Sequence, residues 1–439
     1  MKKFIVLVCL THILAFTSAN ARQSLGVVEQ QMIREIHQEL PKTIEQLAQA
    51  VNINSGTMNF PGVKAVGELM IAQLSALGFA AKWQKGGAFN RAGHVVAHFN
   101  HNQANKKKIL MIGHLDTVFA KDDSFQQFQR LSETEASGPG VIDMKGGNAI
   151  ILASLQALKK VNILQDLAIT VVLTGDEESS GRPLALSKKA IVDAAKWADI
   201  ALGFENGDSN IGTAMVARRS YLGWTLTVTG KAAHSSQIFT TEQGYGAVLE
   251  AARILNAFRE QLSQQQNLTF NPGVIAGGTR VNGQQAASSF NAFGKANVIA
   301  QRLIVNGDLR GLTEQQVANA RKMMQAIVSD NLAHTQAVLS FSTGYPPMAP
   351  TSGNQQLLSL YSQVSQDLGY GEVVAANPRK AGAADISFAA NHVEMALDGL
   401  GLMGRGGHTK NEVADLTSLT KNIEKTAILL YRLSQNSAE

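Results

Sequence analysis

An α/β fold is predicted for this 439-residue chain, with a mixed, mostly parallel sheet covered by helices and an α+β unit inserted into it. Three observations predict it. Short apolar strands alternate with helices up to about residue 204 and again beyond Gln355, as in a sheet built from β-α units. Between these stretches the pattern changes to strict in/out alternation, the mark of a sheet with one buried and one wet face. Several of the apolar strands end in ionisable groups, which is how an open α/β sheet builds a site at its carboxyl edge.

The first 21 residues precede the fold. Lys2-Lys3, an apolar run over 4–16 and Ala19-Asn20-Ala21 read as a secretory signal with a small-x-small cleavage site. The run is too short to span a bilayer as a helix, and nothing later resembles a membrane span. The single cysteine, Cys9, lies in this segment, so the mature chain forms no disulfide and suits a bacterial periplasm or exterior. Removing 21 of 439 residues leaves 418 and, without Lys2 and Lys3, a formal charge of +3 rather than +5. That is too weak a charge to suggest nucleic acid, and no basic run interleaves with aromatics.

Helices follow over 28–51, broken at Pro41, and over 63–77, ended by Gly78. Strands over 94–99 and 108–113, a helix over 148–159, a strand over 167–173, a helix over 184–197 and a strand over 199–204 complete the first α/β stretch. From about Met215 the pattern changes: Leu222, Trp224, Leu226 and Val228 alternate with Gly223, Thr225, Thr227 and Thr229. A helix over 247–262, strands near 274–276 and 302–310, a helix over 314–332 and a strand over 337–341 make this a small α+β unit. A strand over 393–397 and a last helix over 416–433 resume the first pattern. The mature chain is thus read as one domain in two pieces, 22–214 and 343–439, with a smaller domain, 215–342, between them.

The chemistry lies at the strand ends. His114 and Asp116 are two apart, so on an extended backbone they point the same way, and a ligating imidazole commonly hands its other ring N–H to such a carboxylate. Asp143 sits in a turn before Gly146-Gly147, where glycine lets the backbone turn sharply beside a ligand. Glu177-Glu178 follow a strand too apolar for both carboxylates to be cheaply desolvated; beside a metal, one ligates and the other serves as general base. Each motif alone has a bland reading, as a strand-end pair, a helix N-terminal aspartate or a solvated loop. Together, one imidazole and several carboxylates would repel one another unless cations sat among them, which is the pattern of a metallohydrolase.

The ordered set His114-x-Asp116-Thr117, Asp143-Met144-Lys145-Gly146-Gly147, Asp176-Glu177-Glu178, Gly203-Phe204-Glu205 and Gly406-Gly407-His408-Thr409 resembles the M20 family of zinc peptidases and deacylases, in its glutamate carboxypeptidase branch. The likeness runs from about residue 30 to 435. It implies a fold of the zinc-exopeptidase type, an inserted lid that also dimerises the chain, and two zinc ions per chain. By the same resemblance Asp143 bridges the ions, His114 and Glu205 complete one site, and Glu178 and His408 complete the other. Glu177 is the implied base, Asp116 the partner of His114, and a cis peptide is implied at Asp143–Met144. In the lid, Gly230-Lys231-Ala232-Ala233-His234-Ser235 matches a motif whose histidine reaches the partner subunit's site and stabilises the oxyanion. Asn297 and Arg310 match substrate-holding positions, the arginine suited to a carboxylate.

There are departures from the family pattern. Ala300 replaces the usual proline after Asn297-Val298-Ile299. The segment 341–345 before Pro346-Pro347 carries no base, and 377–385 lacks the run of glycines before its aspartate. These leave the metal chemistry untouched but leave open whether the chain keeps the branch's preference for releasing glutamate. His37, His94, His98, His101, His334 and His392 match no motif, and His98 and His101 are expected on a solvated face. The reading is an exported dizinc carboxypeptidase acting on small peptides as a homodimer, with an N-acyl-amino-acid deacylase or dipeptidase as the rival on the same site. A silent binding protein on the same fold would need ligands but have no use for Glu177 as a proton shuttle, and five metal-type positions argue against a structural or adhesive protein.

Overall fold

The computed structural model describes residues 25–103, 105–284 and 289–435. The signal read over 1–21 lies outside the described residues.

A six-stranded sheet forms the centre of the molecule, in the order Ala80–Lys85, Gly93–Phe99, Ala168–Thr174, Lys108–His114, Ile200–Gly203, Met395–Leu397. The last four strands run parallel, and Gly93–Phe99 alone runs against them, antiparallel to both its neighbours, giving the mixed, mostly parallel sheet expected. Its middle strands are apolar on both faces because helices cover both. On one face lie Val27–Val51, Gly146–Lys160 and Leu416–Gln435, packed through Met32, Ile36, Ile150, Leu158, Ile423 and Leu430. On the other, Lys189–Trp197 packs Ile191 and Ala195 against Leu110 and Val172.

The segment from Leu222 to Phe341 builds a second, antiparallel sheet in the order Thr269–Gly278, Arg302–Arg310, Leu222–Thr229, Gln336–Phe341. Its alternating residues Trp224, Leu226 and Val228 turn toward the helices Gly246–Leu262 and Glu314–Ser329, where Ile254, Phe258 and Met324 complete a separate core. The outgoing and returning chains pair with each other, Arg218 with Met348 and Tyr221 with Tyr345. No helix of the described residues is long and apolar enough to cross a membrane.

Several expectations need correction. The first helix runs unbroken through Pro41, which is exposed on its outer face. Burial of Met32, Ile36, Thr43 and Leu47 along the inner face offsets the lost backbone bond. The helix over 184–197 is two pieces, Leu184–Ser187 and Lys189–Trp197, parted at Lys188. The edge strand Ala80–Lys85 and the hairpin Arg280–Gln284/Ser289–Phe293 were not anticipated. Gly146 and Gly147 are ordinary helical residues rather than a sharp turn. Their smallness is needed for contact, since a Cβ on Gly147 would lie 2.1 Å from the Phe204 carbonyl oxygen. The left-handed residue of this turn is Gly140, with φ of 72°.

Candidate metal centre

The parallel strands deliver the site. His114 is the last residue of Lys108–His114, Glu177 and Glu178 follow Ala168–Thr174, and Glu205 follows Ile200–Gly203. Asp143 is brought over this edge by the turn Val141–Lys145, and the Asp143–Met144 peptide is cis. His408 arrives from the far end of the chain with φ of 62°, an uncommon backbone for a non-glycine residue and one that clusters at functional sites.

Asp143 stands between two pairs. Its Oδ1 lies 3.1 Å from His114 Nε2, which is also 3.2 Å from Glu205 Oε1. Its Oδ2 lies 2.9 Å from His408 Nε2, which is also 3.3 Å from Glu178 Oε2. Glu177 joins the same cluster: one ligand atom each from His114, Glu177 and Glu205 lie within 4.8 Å of one another. Asp116 turns out to organise more than His114. The imidazole Nδ1 is 3.0 Å from the Asp116 main-chain oxygen and 3.5 Å from its Oδ1. The buried carboxylate itself accepts from the Glu177 and Glu178 N–H groups at 3.0 and 3.2 Å and from Thr57 Oγ1 at 2.6 Å.

The electrostatics are those of a cluster that wants cations. Burial and the nearby Glu205 charge raise Glu177 well above the ordinary carboxylate range. Burial raises Glu178 to about 7, and burial with the Asp143 charge raises Glu205. Desolvation opposes the charged form of the half-buried Asp143, yet the two histidines hold it below its usual value. Asp143 and Glu178 raise His408 to about 11. Burial opposes the charged form of His114, but Glu205, Asp116 and Asp143 keep it well above its ordinary value. Imidazolium protons thus do between these atoms what divalent cations would do with neutral rings. The buried Glu178 Oε1 has no hydrogen-bond partner among the described residues, a further lone pair for an ion. The donor set therefore fits metal: imidazole nitrogen and carboxylate oxygen, the ligands zinc takes in hydrolases.

A cavity of about 360 Å³ opens beside the cluster, lined among others by Asp143, Glu177, Glu205, Arg218, Lys380 and His408. Arg218 was missed in the sequence. It is 4 % exposed, its Nε donates to Asp398 Oδ2 at 2.6 Å and its Nη1 to the Gly382 carbonyl at 2.9 Å, while Nη2 has no hydrogen-bond partner among the described residues. Two arginines directly after the apolar Met215–Val216–Ala217 were the available signal. Glu412, fully buried, was missed as well: it accepts from the N–H groups of Gly140, Ile142 and Asp143 and so holds the Asp143 turn.

The structure does not bring every predicted residue to this edge. His234 is exposed in the inserted unit, its Nδ1 2.8 Å from Ser236 Oγ, and Asn297 lies beside it, its carbonyl accepting from the Ser235 N–H. Among the described residues no hydrogen bond or ion pair joins either to the cluster. They sit by the Thr229/Arg302 end of the inserted sheet, whereas Arg310 ends the same strand at the opposite, hinge end. Arg310 Nε donates to Asp308 Oδ2 at 2.7 Å, and its guanidinium lies over the Tyr221 ring. Beside it Arg219 donates to Thr269 Oγ1 at 2.7 Å. His98 and His101 are half-buried rather than solvated, their rings 4.3 Å apart and His101 stacked on Trp197. His94 is fully buried under the Glu177 loop, accepting from the Gly175 N–H at 3.1 Å.

Carboxylates and imidazoles crowded at the carboxyl ends of parallel strands and open to a cavity define a metal-dependent hydrolase on an α/β sheet. Residues 110–434 match the model of Peptidase family M20/M25/M40, and the chain belongs to that family. It is 27 % identical over 406 residues to Carboxypeptidase G2 of Pseudomonas sp. (strain RS-16), covering 90 % of each chain. It is 26 % identical over 227 residues to acetylornithine deacetylase of Pasteurella multocida, covering 49 % of this chain and 56 % of that one. The fold is similar to aminopeptidase PepT from Bacillus cereus, with a TM-score of 0.70 at 17 % identity over 90 % of this chain and 98 % of that one.

Proposed function

We propose that this protein is an exported dizinc carboxypeptidase that hydrolyses the amide bond next to a free C-terminal carboxylate. The observation that carries the reading is Asp143, whose two oxygens face two separate histidine–glutamate pairs. His114 and Glu205 would hold one ion, Glu178 and His408 the other, with Asp143 shared. The metals, when bound, polarise the scissile carbonyl and make water a nucleophile near neutral pH. Glu177, half-buried beside them and raised by desolvation, takes the proton of the attacking water and returns it to the leaving amine.

Substrate is held by positive charge on the lid side of the cavity. Arg218 and Lys380 line the cavity itself. Arg219 is held below its usual value by burial and by Arg310 and Arg379, so three guanidiniums crowd at the hinge where no base lies in 341–345. Such a crowd suits a carboxylate. Residues 215–342 serve as lid and dimerisation domain, and their His234 and Asn297, remote from their own cluster, complete the partner's site. The likeness to Carboxypeptidase G2 over nearly the whole chain supports carboxypeptidase chemistry, and export rests on the signal at 1–21.

A hydrolysis panel of C-terminal dipeptides, glutamate-ended ones among them, and N-acyl-amino acids, with and without added zinc, tests the reading. Zinc-dependent release of C-terminal amino acids from peptides is expected. Faster cleavage of acyl-amino acids would move the protein to the deacylases, and no cleavage of either would overturn the proposal.

A further inference from the structure

Both peptide groups that flank Glu177 are held by side chains from distant parts of the chain. The Glu177 N–H donates to Asp116 Oδ1 at 3.0 Å, from the sheet side. The Glu177 carbonyl lies 3.2 Å from the hydroxyl of Tyr345, on the chain returning from the inserted unit. Tyr345 exchanges two backbone hydrogen bonds with Tyr221, at 3.0 and 2.9 Å, on the outgoing chain. The phenol is therefore part of the hinge.

That phenol has one proton and two acceptors, the Glu177 carbonyl and Asp385 Oδ1 at 3.1 Å. The hydroxyl of Ser180 lies 3.0 Å away, where either oxygen can donate, and it donates to the phenol oxygen whenever the phenolic proton goes to one of the other two acceptors. Asp385 is already well supplied. Lys188 Nζ reaches its Oδ1 at 2.9 Å, and Thr174 Oγ1 donates to its Oδ2 at 2.6 Å. Lys188 is 1 % exposed, enters at the break between Leu184–Ser187 and Lys189–Trp197, and also meets Asp176 Oδ1 at 3.1 Å. With a cation satisfying Asp385, the phenolic proton is left for the Glu177 carbonyl. Burial and the Asp385 and Glu177 charges raise the phenol well above its ordinary range, so it stays a donor.

We propose that Tyr345 is a positioning residue for Glu177, and that Lys188, by satisfying Asp385, directs the phenolic hydrogen bond to the Glu177 carbonyl. The proposal rests on the reading of Glu177 as the base. Asp116 and Tyr345 then fix the Glu177 backbone from the sheet and from the hinge, so the aim of the carboxylate depends on where the hinge sits. A base must lie within hydrogen-bond reach of the proton it takes, and a misplacement of about 1 Å costs on the order of 10²-fold.

The test uses the zinc-loaded mature protein with Tyr345→Phe, Lys188→Gln, Lys188→Arg and Glu177→Gln. Tyr345→Phe keeps the ring against Phe388, 4.8 Å between centroids, and removes only the hydroxyl. Expected is a fall in kcat of about tenfold or more, with KM within about twofold and metal content unchanged. Lys188→Gln should lower kcat similarly, Lys188→Arg should restore most of it, and the Tyr345→Phe/Lys188→Gln pair should fall no further than Tyr345→Phe alone. Should Lys188→Gln fail to fold, Tyr345→Phe decides alone. Wild-type kcat in Tyr345→Phe, or a loss carried by KM or by missing metal, overturns the proposal. If Glu177→Gln is inactive while Tyr345→Phe is normal, only the positioning role fails. If Glu177→Gln itself is active, the reading of the base fails.

Discussion

Replacing Glu412 by glutamine should weaken metal binding without touching the cavity. Glu412 Oε1 accepts from the Ile142 and Asp143 N–H groups at 2.8 and 3.2 Å, and Oε2 accepts from the Gly140 N–H at 2.9 Å. A glutamine has one acceptor oxygen. In its better rotamer it keeps the pair to Ile142 and Asp143 and turns an NH2 group against the Gly140 N–H, losing one hydrogen bond to a charged acceptor. Such a bond is worth roughly 1.5–3 kcal/mol. Passed on to the Asp143 turn, that corresponds to a 10–100-fold weaker metal affinity, the usual cost of losing a group that orients a ligand. Competition for zinc against a chromophoric chelator measures it. The comparison belongs at about pH 8, because burial raises Glu412 to about 7 and the carboxylate should be ionised. Zinc affinity in Glu412→Gln within about twofold of wild type would refute the reasoning.

Glu177→Gln should keep its metals while turnover falls on the order of 10²–10⁴, because an amide cannot take the water's proton; near wild-type turnover would remove Glu177 as the base. His234→Ala should cost about 10²–10³ in rate as a lost oxyanion donor. Co-refolded with Glu177→Gln it should regain activity in mixed dimers, where one site has both groups, whereas inactive hybrids would refute action across the dimer. Lys425 is buried, its Nζ donating to the Ile211 carbonyl and lying over the Tyr361 ring, and burial lowers it to about 7. Between about pH 7 and the unfolded lysine value of about 10.4 the unfolded chain binds a proton the folded chain lacks, so stability rises with pH by up to ~1.4 kcal/mol per unit. Urea unfolding at several pH values should show this slope in the wild type and its loss in Lys425→Met; identical slopes would contradict it.

What the sequence discloses follows from the range of the physics involved. The strand ends at His114, Glu177 and Glu205 are legible because apolar runs and ionisable residues are adjacent in the chain. The alternation of Leu222, Trp224, Leu226 and Val228 likewise carries its own period. Ala80–Lys85 is not legible, since Ala-Ala-Lys-Trp-Gln-Lys on an edge strand has neither alternation nor an apolar run. In the hairpin Arg280–Gln284/Ser289–Phe293 the strand formers Val281, Phe290 and Phe293 are scattered among Asn, Gly, Gln and Ser, too few to mark a strand. The polar residues that matter most to geometry, Glu412, Arg218, Asp385 and Lys188, acquire meaning only from partners far away in the chain. Glu412 meets a turn 269–272 residues earlier. The missing base at 341–345 is the instructive case, because that segment supplies Tyr345 to the Glu177 loop instead.

The most direct test of the dizinc reading is anomalous X-ray scattering at the zinc edge from crystals of the zinc-loaded mature protein. Two peaks are predicted, one on each side of the Asp143 carboxylate, the first beside His114 and Glu205 and the second beside His408 and Glu178. A single peak, peaks elsewhere, or none would contradict it.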